Sequence, residues 1–278
     1  MDSVPTIAGV VLTLNEEQYL ARALRSLAWC DELFVVDSGS TDRTEQVAAR
    51  CGARFLEHVQ KPPFRIAEQR NWVLEYSGIT SDWVLFLDAD EEVGPALISS
   101  IHSCIRSSAA LDAYELTPRY LFMGKWLKRT QGYPNWHPRL VKRGFARFEG
   151  GVWESFTANS LVGRIREPYD HYAFSKGLDD WLERHKRYAD WDAREILSIV
   201  EPTGVSSVNI TRKFKIRFLA AKLWPLRPIL RFTQKYFFQA GFLEGWQSLL
   251  FCLMMFFYDL MAVIKVIQHF RVKAGKPL

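Results

Sequence analysis

The sequence predicts an α/β protein built on a mostly parallel sheet with helices on both faces. Two observations carry this prediction. Short runs of consecutive apolar and β-branched residues recur over the first hundred positions, and such runs are typical of strands covered on both faces. Segments with helical periodicity alternate with these runs, which is the order that parallel β-α-β units require.

The elements follow in order from the amino terminus. The run from Ile7 to Leu14 is the first predicted strand, and a helical pattern begins at Asn15. The run LFVVD, which ends at Asp37, is the second strand, and turn and cap residues follow it in SGSTDRT. The same patterns then predict a helix at 43–50, a strand at 53–57, a helix at 66–76 and the strand WVLFLD at 83–88.

The pattern changes beyond Pro95. Short strands mixed with aromatic residues (AYELTPRYLFMG, RLVKR and LVGRI) predict an antiparallel addition within residues 112–172. A long helix is predicted from about Leu178 to Ile199, and EPTGVSS after it has the composition of a linker. We therefore expect three regions, with boundaries near residues 110 and 202.

The composition is globular, and its charge is unevenly distributed. Hydrophobic residues make up 48% of the chain and charged residues 24%, which excludes a disordered protein. From residue 203 onward twelve Lys and Arg residues face two acids, so this tail carries +10 and the preceding residues carry −5. A basic, aromatic tail is suited to an anionic surface.

The cysteines and the amino terminus indicate the compartment. The four cysteines lack metal-ligand spacing, so we expect neither a zinc site nor a disulfide framework. A reducing compartment follows from this. The opening residues lack the pattern of a signal peptide, and we expect the body of the protein to face the cytoplasm.

The stretch WVLFLDADEE ends a buried strand in a cluster of acids. Carboxylates this close repel one another unless water, a cation or a specific task accompanies them. Ligands bind beyond the carboxyl ends of the strands in parallel sheets. The polar residues at those ends are Thr13, Asn15, Glu16, Asp37, Asp88 and Asp90. They predict a polar site with a cation at Asp88 and Asp90, whereas an acidic helix start is the alternative interpretation.

Nucleotide-binding motifs of other classes are missing from the sequence. It contains neither GxGxxG nor the GK[ST] of a P-loop, which argues against a dinucleotide site. Three segments, IAGVVLTLNEEQYL, FVVDSGSTDRT and AEQRNWVLEYSGITSDWVLFLDADEEV, together resemble the nucleotide-sugar half of a family 2 (GT-A fold) glycosyltransferase.

Later segments narrow the resemblance. LVKRGFARFEGGVWESF, DHYAFSKGLDDWLERHKRY and the GFLEGWQSLLFCLMMFFYDLMAVIKV end are similar to the bacterial lipopolysaccharide-core β-glucosyltransferase subgroup. The subgroup usually has His-Glu where this chain has Trp153-Glu154, a departure that bears on the acceptor more than on the reaction type.

The resemblance implies a role for each region. Residues 1–110 would be the nucleotide-sugar-binding half of a GT-A domain, and 111–202 its acceptor-side half. Residues 203–278 would form a basic amphipathic and hydrophobic helical region that associates with a membrane. Asp88-Ala89-Asp90 would be the DxD motif, with Asp90 contacting Mg²⁺ or Mn²⁺ and Asp88 facing the ribose or an outer-shell water.

The remaining donor-side roles also come from the resemblance. Asp37 would accept a hydrogen bond from uracil, or alternatively cap a helix. Thr13, Asn15 and Glu16 would line the base and ribose, with a plain helix start as the alternative. Arg70 and Asn71 would lie near the nucleotide or diphosphate, since Arg pairs bidentately with phosphate; a surface arginine is the alternative.

Inverting transfer to a hydroxyl needs a carboxylate that takes the acceptor proton. Glu154 in GGVWESF is the predicted base, and a solvated loop glutamate is the alternative interpretation. Glu149 is the nearest rival, and Glu91 and Glu92 are weaker ones.

Three further residues are weaker acceptor-side candidates. Trp153 and Trp136 could stack on a sugar ring, although a core role is equally plausible. His171 matches a subgroup position and would touch an acceptor phosphate or the diphosphate, with a hydrogen-bonded structural histidine as the alternative.

The tail pattern favours a membrane over a nucleic acid. Residues 212–240 interleave Lys and Arg with bulky apolar side chains at helical spacing, which fits a membrane-surface helix. The apolar run from Leu249 to Tyr258 is shorter than the roughly 20 residues that a span needs. An interfacial hairpin is the first interpretation, a single span that tolerates Asp259 the second, and a buried oligomer helix the third.

Together these inferences predict an inverting, metal-dependent transfer of a hexose, glucose by default, from a UDP-sugar to a lipid-linked glycan such as lipopolysaccharide core. The expected location is the cytoplasmic face of the bacterial inner membrane, peripheral or monotopic, with no nucleic-acid partner and with self-association left open. The alternatives are a polyprenyl-phosphate hexose synthase and a non-catalytic, nucleotide-binding membrane scaffold.

Overall fold

The structure is a computed structural model that describes residues 4–62, 64–107, 109–150, 154–157, 159–201 and 223–278. Trp153, most of the EPTGVSS segment and residues 203–222 of the predicted membrane region lie outside the described residues. The elements in chain order are β1 (Ile7–Thr13), α1 (Leu20–Ser26), β2 (Glu32–Asp37), α2 (Thr44–Arg50), β3 (Arg54–Glu57), α3 (Ile66–Tyr76), β4 (Trp83–Asp88), β5 (Glu91–Glu92), α4 (Pro95–Arg106), β6 (Ala113–Leu116), β7 (Pro118–Phe122), β8 (Lys125–Trp126), β9 (His137–Lys142), β10 (Phe148–Gly150), β11 (Glu154–Phe156), β12 (Val162–Arg164), β13 (Tyr169–His171), α5 (Gly177–Val200), α6 (Arg227–Thr233) and α7 (Trp246–Lys273).

These elements form two compact units. The first contains residues 1–121 and 133–173, and the second contains residues 122–132 and 174–278. The predicted boundary at residue 202 therefore needs correction, because α5 belongs to the second unit. Its buried Trp181 and Ala189 pack against Tyr258 and Ala262 of α7, which gives the apolar face of α5 its partner.

The first unit contains a seven-stranded sheet in the order β12-β6-β9-β4-β1-β2-β3. The four strands β3, β2, β1 and β4 are parallel to one another, whereas β9 runs antiparallel to both β4 and β6. A mostly parallel sheet of the GT-A kind is thus confirmed. The parallel strands place their carboxyl ends at one edge, where β1 and β2 pair Thr13 with Asp37.

Helices cover this sheet on both faces. Along β1, Ile7 and Val11 face one apolar cluster that also contains residues of α1, α2 and α4. Ala8 and Val10 face the other cluster, which includes Val73 of α3. Since every residue of β1 is buried, its sequence lacks polar alternation, which is why it could be predicted as a doubly covered strand.

Two local predictions were wrong. Helix α1 begins at Leu20 and not at Asn15, because Asn15 adopts a left-handed backbone with φ of 56° and lies in the loop before the helix. The addition after Pro95 is mixed and not antiparallel throughout. Strand β12 pairs with β6 in parallel, and β13 pairs with β7 in parallel.

The second unit contains three α-helices among the described residues: α5, α6 and α7. α7 is long and apolar enough to cross a membrane by length and composition, which is weak evidence taken alone. Its apolar sequence carries one fully buried acid, Asp259. The guanidinium groups of Arg227 and Arg231 on α6 lie 2.9 Å and 3.0 Å from its two carboxylate oxygens, so this acid joins α6 to α7.

We predict that Asp259→Ala destabilises the second unit by about 3 kcal/mol or more, because two arginines lose their buried counter-ion. Asp190→Ala is the matched control. Asp190 pairs with Lys265 at 2.6 Å but is 45% exposed, so its loss should cost less than about 1 kcal/mol. Urea denaturation of both variants measures the difference, and equal stabilities would contradict the assignment of Asp259 as the joint between α6 and α7.

Candidate active site

The site begins where β1 and β2 end side by side. The Thr13 hydroxyl donates to Asp37 Oδ1 at 2.6 Å, and both side chains are buried. Asp37 Oδ1 also accepts from the Ser40 hydroxyl, while its Oδ2 accepts from the backbone N–H groups of Gly39 and Ser40. Four donors fill the four acceptor positions of a carboxylate. A base N–H that binds Asp37 directly would have to displace one of them.

Asn15 and Glu16 join the two loops that follow β1 and β2. The Asn15 side-chain oxygen accepts from the Thr41 backbone N–H at 2.9 Å. The Glu16 backbone N–H donates to the Thr44 hydroxyl at 2.9 Å. Asn15 is therefore not a helix cap. It connects the loops at the edge of the sheet where the donor site is predicted.

The acidic stretch after β4 is organised by a fully buried carboxylate. Glu91 Oε2 accepts from the backbone N–H of Asp88 at 2.9 Å, which closes the turn. Burial raises the pKa of Glu91 to about 7, although Arg139 works in the opposite direction. Glu91, a weak rival for the catalytic base in the sequence prediction, is thus enclosed within the fold.

Arg139 was missed by the sequence analysis. Its Nη2 donates to Asp88 Oδ2 at 2.9 Å and to Glu91 Oε1 at 2.6 Å. Burial raises the pKa of Asp88, but Arg139 and Arg70 outweigh it and hold that pKa well below its usual range. The available signal was an arginine in the apolar strand RLVKR, because a buried guanidinium requires carboxylate partners.

Strand pairing brings His171 to this cluster from 80 residues away. β13 pairs with β5 so that His171 lies opposite Glu91, and the Tyr172 N–H donates to the Asp90 carbonyl at 2.9 Å. His171 Nε2 lies 3.5 Å from Asp90 Oδ2, and its Nδ1 lies 3.6 Å from Glu91 Oε1. The predicted DxD motif and His171 are therefore brought together.

The predicted base enters the same cluster through Arg70. Arg70 Nη1 donates to Glu154 Oε2 at 2.6 Å, and its Nη2 lies 3.4 Å from Asp88 Oδ1. Arg70 is only 2% exposed, so it is not a surface arginine. Burial raises the pKa of Glu154, although Arg70 and Arg139 oppose this. Glu154 is also largely buried, which excludes the solvated-loop interpretation.

Asn71 positions the segment that carries Glu154. Its amide donates to the Phe148 carbonyl and accepts from the Phe148 N–H, both at 2.9 Å. Phe148 begins β10, whose Gly150 pairs with Glu154 of β11. Both the amide nitrogen and the amide oxygen of Asn71 are thus engaged with backbone, and the side chain anchors β10.

The other predicted candidates lie outside this cluster. Glu149 is exposed, and Glu92 accepts from the Tyr172 hydroxyl at 3.2 Å. Trp136 stacks beneath the guanidinium of Arg164 at 5.0 Å. Glu154 is therefore the strongest of the four carboxylates that were considered for the base.

The contacts form one chain of alternating charge. In order its members are Glu154, Arg70, Asp88, Arg139, Glu91, His171 and Asp90. Four carboxylates face two guanidinium groups, so the acids outnumber the cations whether His171 is neutral or protonated. The deficit favours a cation.

Asp90 and His171 fit a divalent cation at the end of this chain. Both side chains are about one-fifth exposed and thus reachable from solvent. An oxygen and an imidazole nitrogen suit Mn²⁺, and Mg²⁺ accepts one or two carboxylates with phosphates and water. Glu91 behind His171 Nδ1 corresponds to the carboxylate that commonly orients a metal-binding imidazole. Within the described ranges, no group of three or more His, Cys, Asp and Glu side chains could hold a metal.

A comparison with known families decides the identity. The model of "Glycosyl transferase family 2" matches residues 10–171, which is more than half of the chain and includes the charged cluster. The chain belongs to this family. The resemblance seen in the sequence is confirmed.

Curated relatives agree with this membership. The lipopolysaccharide core biosynthesis glycosyltransferase LpsC of Rhizobium meliloti is 28% identical over 57% of this chain and 62% of its own length. An uncharacterized glycosyltransferase of Rickettsia conorii is 38% identical over 56% of this chain and 54% of its own. The chain thus spans little more than half the length of these relatives.

Two solved structures are similar to this chain at low sequence identity. Glucosyl-3-phosphoglycerate synthase from Mycobacterium tuberculosis, crystallised with Mn²⁺, UDP and phosphoglyceric acid, is 19% identical with a TM-score of 0.45, covering 68% of this chain and 78% of that one. Staphylococcus aureus TarS is 15% identical with a TM-score of 0.44, covering 80% and 71%.

We predict that Arg139→Met lowers the free energy of unfolding by about 3–5 kcal/mol, because Asp88 and Glu91 lose their shared cation. Arg147→Met is the matched control. Arg147 pairs with Glu75 but is 58% exposed, so its loss should cost less than about 1 kcal/mol. Chemical denaturation measures both, and an Arg139 variant as stable as the control would contradict the central position of this guanidinium.

Proposed function

We propose that the protein transfers a hexose, glucose by default, from a UDP-sugar to a lipid-linked glycan with inversion. The observation that carries this proposal is the charge chain, which has a solvent-reachable Asp90–His171 pair at one end and the buried Glu154 at the other. Transfer from a nucleotide sugar needs both a cation for the leaving diphosphate and a base for the acceptor.

Asp90 and His171 would hold Mg²⁺ or Mn²⁺. A cation bound there supplies Lewis-acid stabilisation of the negative charge that develops on the diphosphate. Asp88 keeps its carboxylate ionised beside Arg139 and Arg70, and its 38% exposed side chain can accept from a ribose hydroxyl. Asp37, Thr13, Asn15 and Glu16 shape the loops on which the uridine would lie.

Glu154 would take the proton of the acceptor hydroxyl. Its Oε2 is held by Arg70, and its Oε1 is buried with no hydrogen-bond partner among the residues that the structure describes. A buried carboxylate with an unfilled acceptor position and a raised pKa is a stronger base than an exposed glutamate. The acceptor hydroxyl would supply the missing hydrogen bond.

The acceptor and the location follow from the tail and from the relative. LpsC is named for lipopolysaccharide core biosynthesis, and this supports a lipid-linked glycan acceptor. Helix α7 is apolar, and the region from residue 203 onward is basic by sequence. Both properties support membrane association at the cytoplasmic face of the bacterial inner membrane.

We predict metal-dependent UDP binding. Isothermal titration calorimetry should detect UDP binding with Mn²⁺, and binding at least about tenfold weaker with EDTA, because the cation offsets the charge of diphosphate and carboxylates. Asp90→Ala should lose the response to Mn²⁺, whereas Glu149→Ala, an exposed control, should keep it. GDP and CMP serve as competing nucleotides, and undiminished Mn²⁺-dependent binding by Asp90→Ala would refute the assignment of the cation.

We predict that Glu154→Gln lowers kcat by about 10²–10⁴-fold, because the amide cannot accept the acceptor proton. The measurement is transfer of labelled hexose to purified core glycolipid, with Glu149→Gln as the control of equal chemistry. UDP binding should remain within a few-fold of the wild type.

The pH profile provides a second readout of the same residue. Burial raises the pKa of Glu154 above the ordinary value of 4.5, and the base acts when deprotonated, so kcat/KM should fall with acidification at a pH above 4.5. Undiminished transfer to core glycolipid by Glu154→Gln would refute its role as the base. Transfer to a polyprenyl phosphate that this substitution leaves unchanged would favour the polyprenyl-phosphate synthase, which needs no carboxylate base.

A further inference from the structure

Helix α7 exposes a continuous apolar stripe on one of its faces. The stripe residues recur every three or four positions and are each 36–61% exposed: Trp246, Leu249, Leu253, Phe257, Leu260, Ile264 and Ile267. Such spacing puts them on one side of the helix. The stripe runs over 22 residues, whose 21 steps of 1.5 Å give about 32 Å.

The opposite face of α7 is committed to α5 and α6. Its buried residues include Asp259, which is paired with Arg227 and Arg231 of α6. Toward its carboxyl end, Lys265 donates to Asp190 of α5 at 2.6 Å. Polar partners therefore hold the half of α7 that follows Tyr258 alongside α5.

This packing opposes a transmembrane orientation. α5 carries ten charged side chains among its 24 residues. It lies beside α7, because Asp190 pairs with Lys265 and because Val200 and Phe270 pack against one apolar cluster that contains residues of both helices. A crossing α7 would carry these charges into hydrocarbon, where each one disfavours insertion by about fiftyfold or more. The stripe can meet lipid only if α7 lies along the surface.

The positive charge of this region indicates what the apolar stripe binds. The region from residue 203 onward carries +10 by sequence, and the exposed Arg271 and Lys273 end α7. A second copy of the chain carries the same positive charge in this region and is repelled by it, whereas an anionic lipid surface neutralises it.

We propose that α7 lies in the plane of the membrane interface, with its apolar stripe among the acyl chains and its basic end at anionic headgroups. This inference rests on the proposed function, because a lipid-linked acceptor gives the protein a reason to bind the membrane surface. Its test measures lipid contact and depth, so loss of transferase activity does not affect the outcome.

The first experiment is flotation of the full chain with vesicles of phosphatidylethanolamine and phosphatidylglycerol. Leu253→Glu/Leu260→Glu should reduce partitioning of the protein into the vesicles at least about tenfold, because two charges replace apolar side chains that would insert among the acyl chains. Leu178→Glu is the control, since Leu178 is a similarly exposed leucine of α5. The proposal would be overturned if the wild type failed to float and light scattering showed a dimer that the Leu253→Glu/Leu260→Glu variant does not form. The apolar stripe would then bind a second copy of the chain.

The second experiment measures depth. A genetically encoded fluorescent amino acid replaces Leu253 or Ile264, and lipids brominated at different acyl positions quench its emission. In-plane orientation predicts equal depths at the two positions. A crossing helix would separate them by up to about 16 Å, because eleven residues rise 1.5 Å each, and that result would overturn the proposal.

Discussion

One buried guanidinium makes the acidic end of β4 compatible with a folded core. Asp88 and Glu91 approach each other at a turn where water is excluded from Glu91, and two carboxylates in that position repel strongly. Arg139 separates them and donates to both. It arrives on β9, which pairs antiparallel with β4 and so carries the counter-charge to the strand that needs it. This contact holds Glu91 beside Asp88, and the pairing of β13 with β5 brings His171 opposite Glu91.

The same arrangement explains why the site has two differently exposed ends. Glu154 is held within the fold by a buried arginine, whereas Asp90 and His171 remain reachable from solvent. A charge chain of this kind lets four carboxylates share a small volume, because a guanidinium group or an imidazole lies between each pair of acids. This arrangement depends on the two arginines, because removal of either one would leave two carboxylates next to each other without a counter-charge.

Local patterns in the sequence were sufficient for the parallel half of the sheet. Consecutive apolar residues in β1 and β4 and the helical period of α3 depend on neighbours within one element, so their bounds could be predicted closely. The grouping of Asp88 and Asp90 with a strand end was predictable for the same reason. The roles assigned to those residues remain predictions.

Interactions between segments that are distant in the sequence could not be predicted from these local patterns. Arg139 looked like part of an ordinary strand, because nothing near it in sequence reveals its acidic partners. α5 has an apolar face that could have covered the sheet, and only the contacts with Tyr258 and Ala262 assign it to the second unit. Asn15 was taken as a helix start because its left-handed backbone has no signature beyond residue type.

The long separations within the charge chain affect how the protein is made. Arg139 and Glu91 are 48 residues apart, and Arg70 and Glu154 are 84 apart. Contacts of such separation form slowly, because a large loop must close before they repay its entropy. While the chain is being synthesised, the first hundred residues therefore leave the ribosome before Arg139 is available to Asp88 and Glu91. The site can be completed only after His171 has emerged, so a truncated chain ending earlier would carry the family's most recognisable motif without the groups that hold it in place.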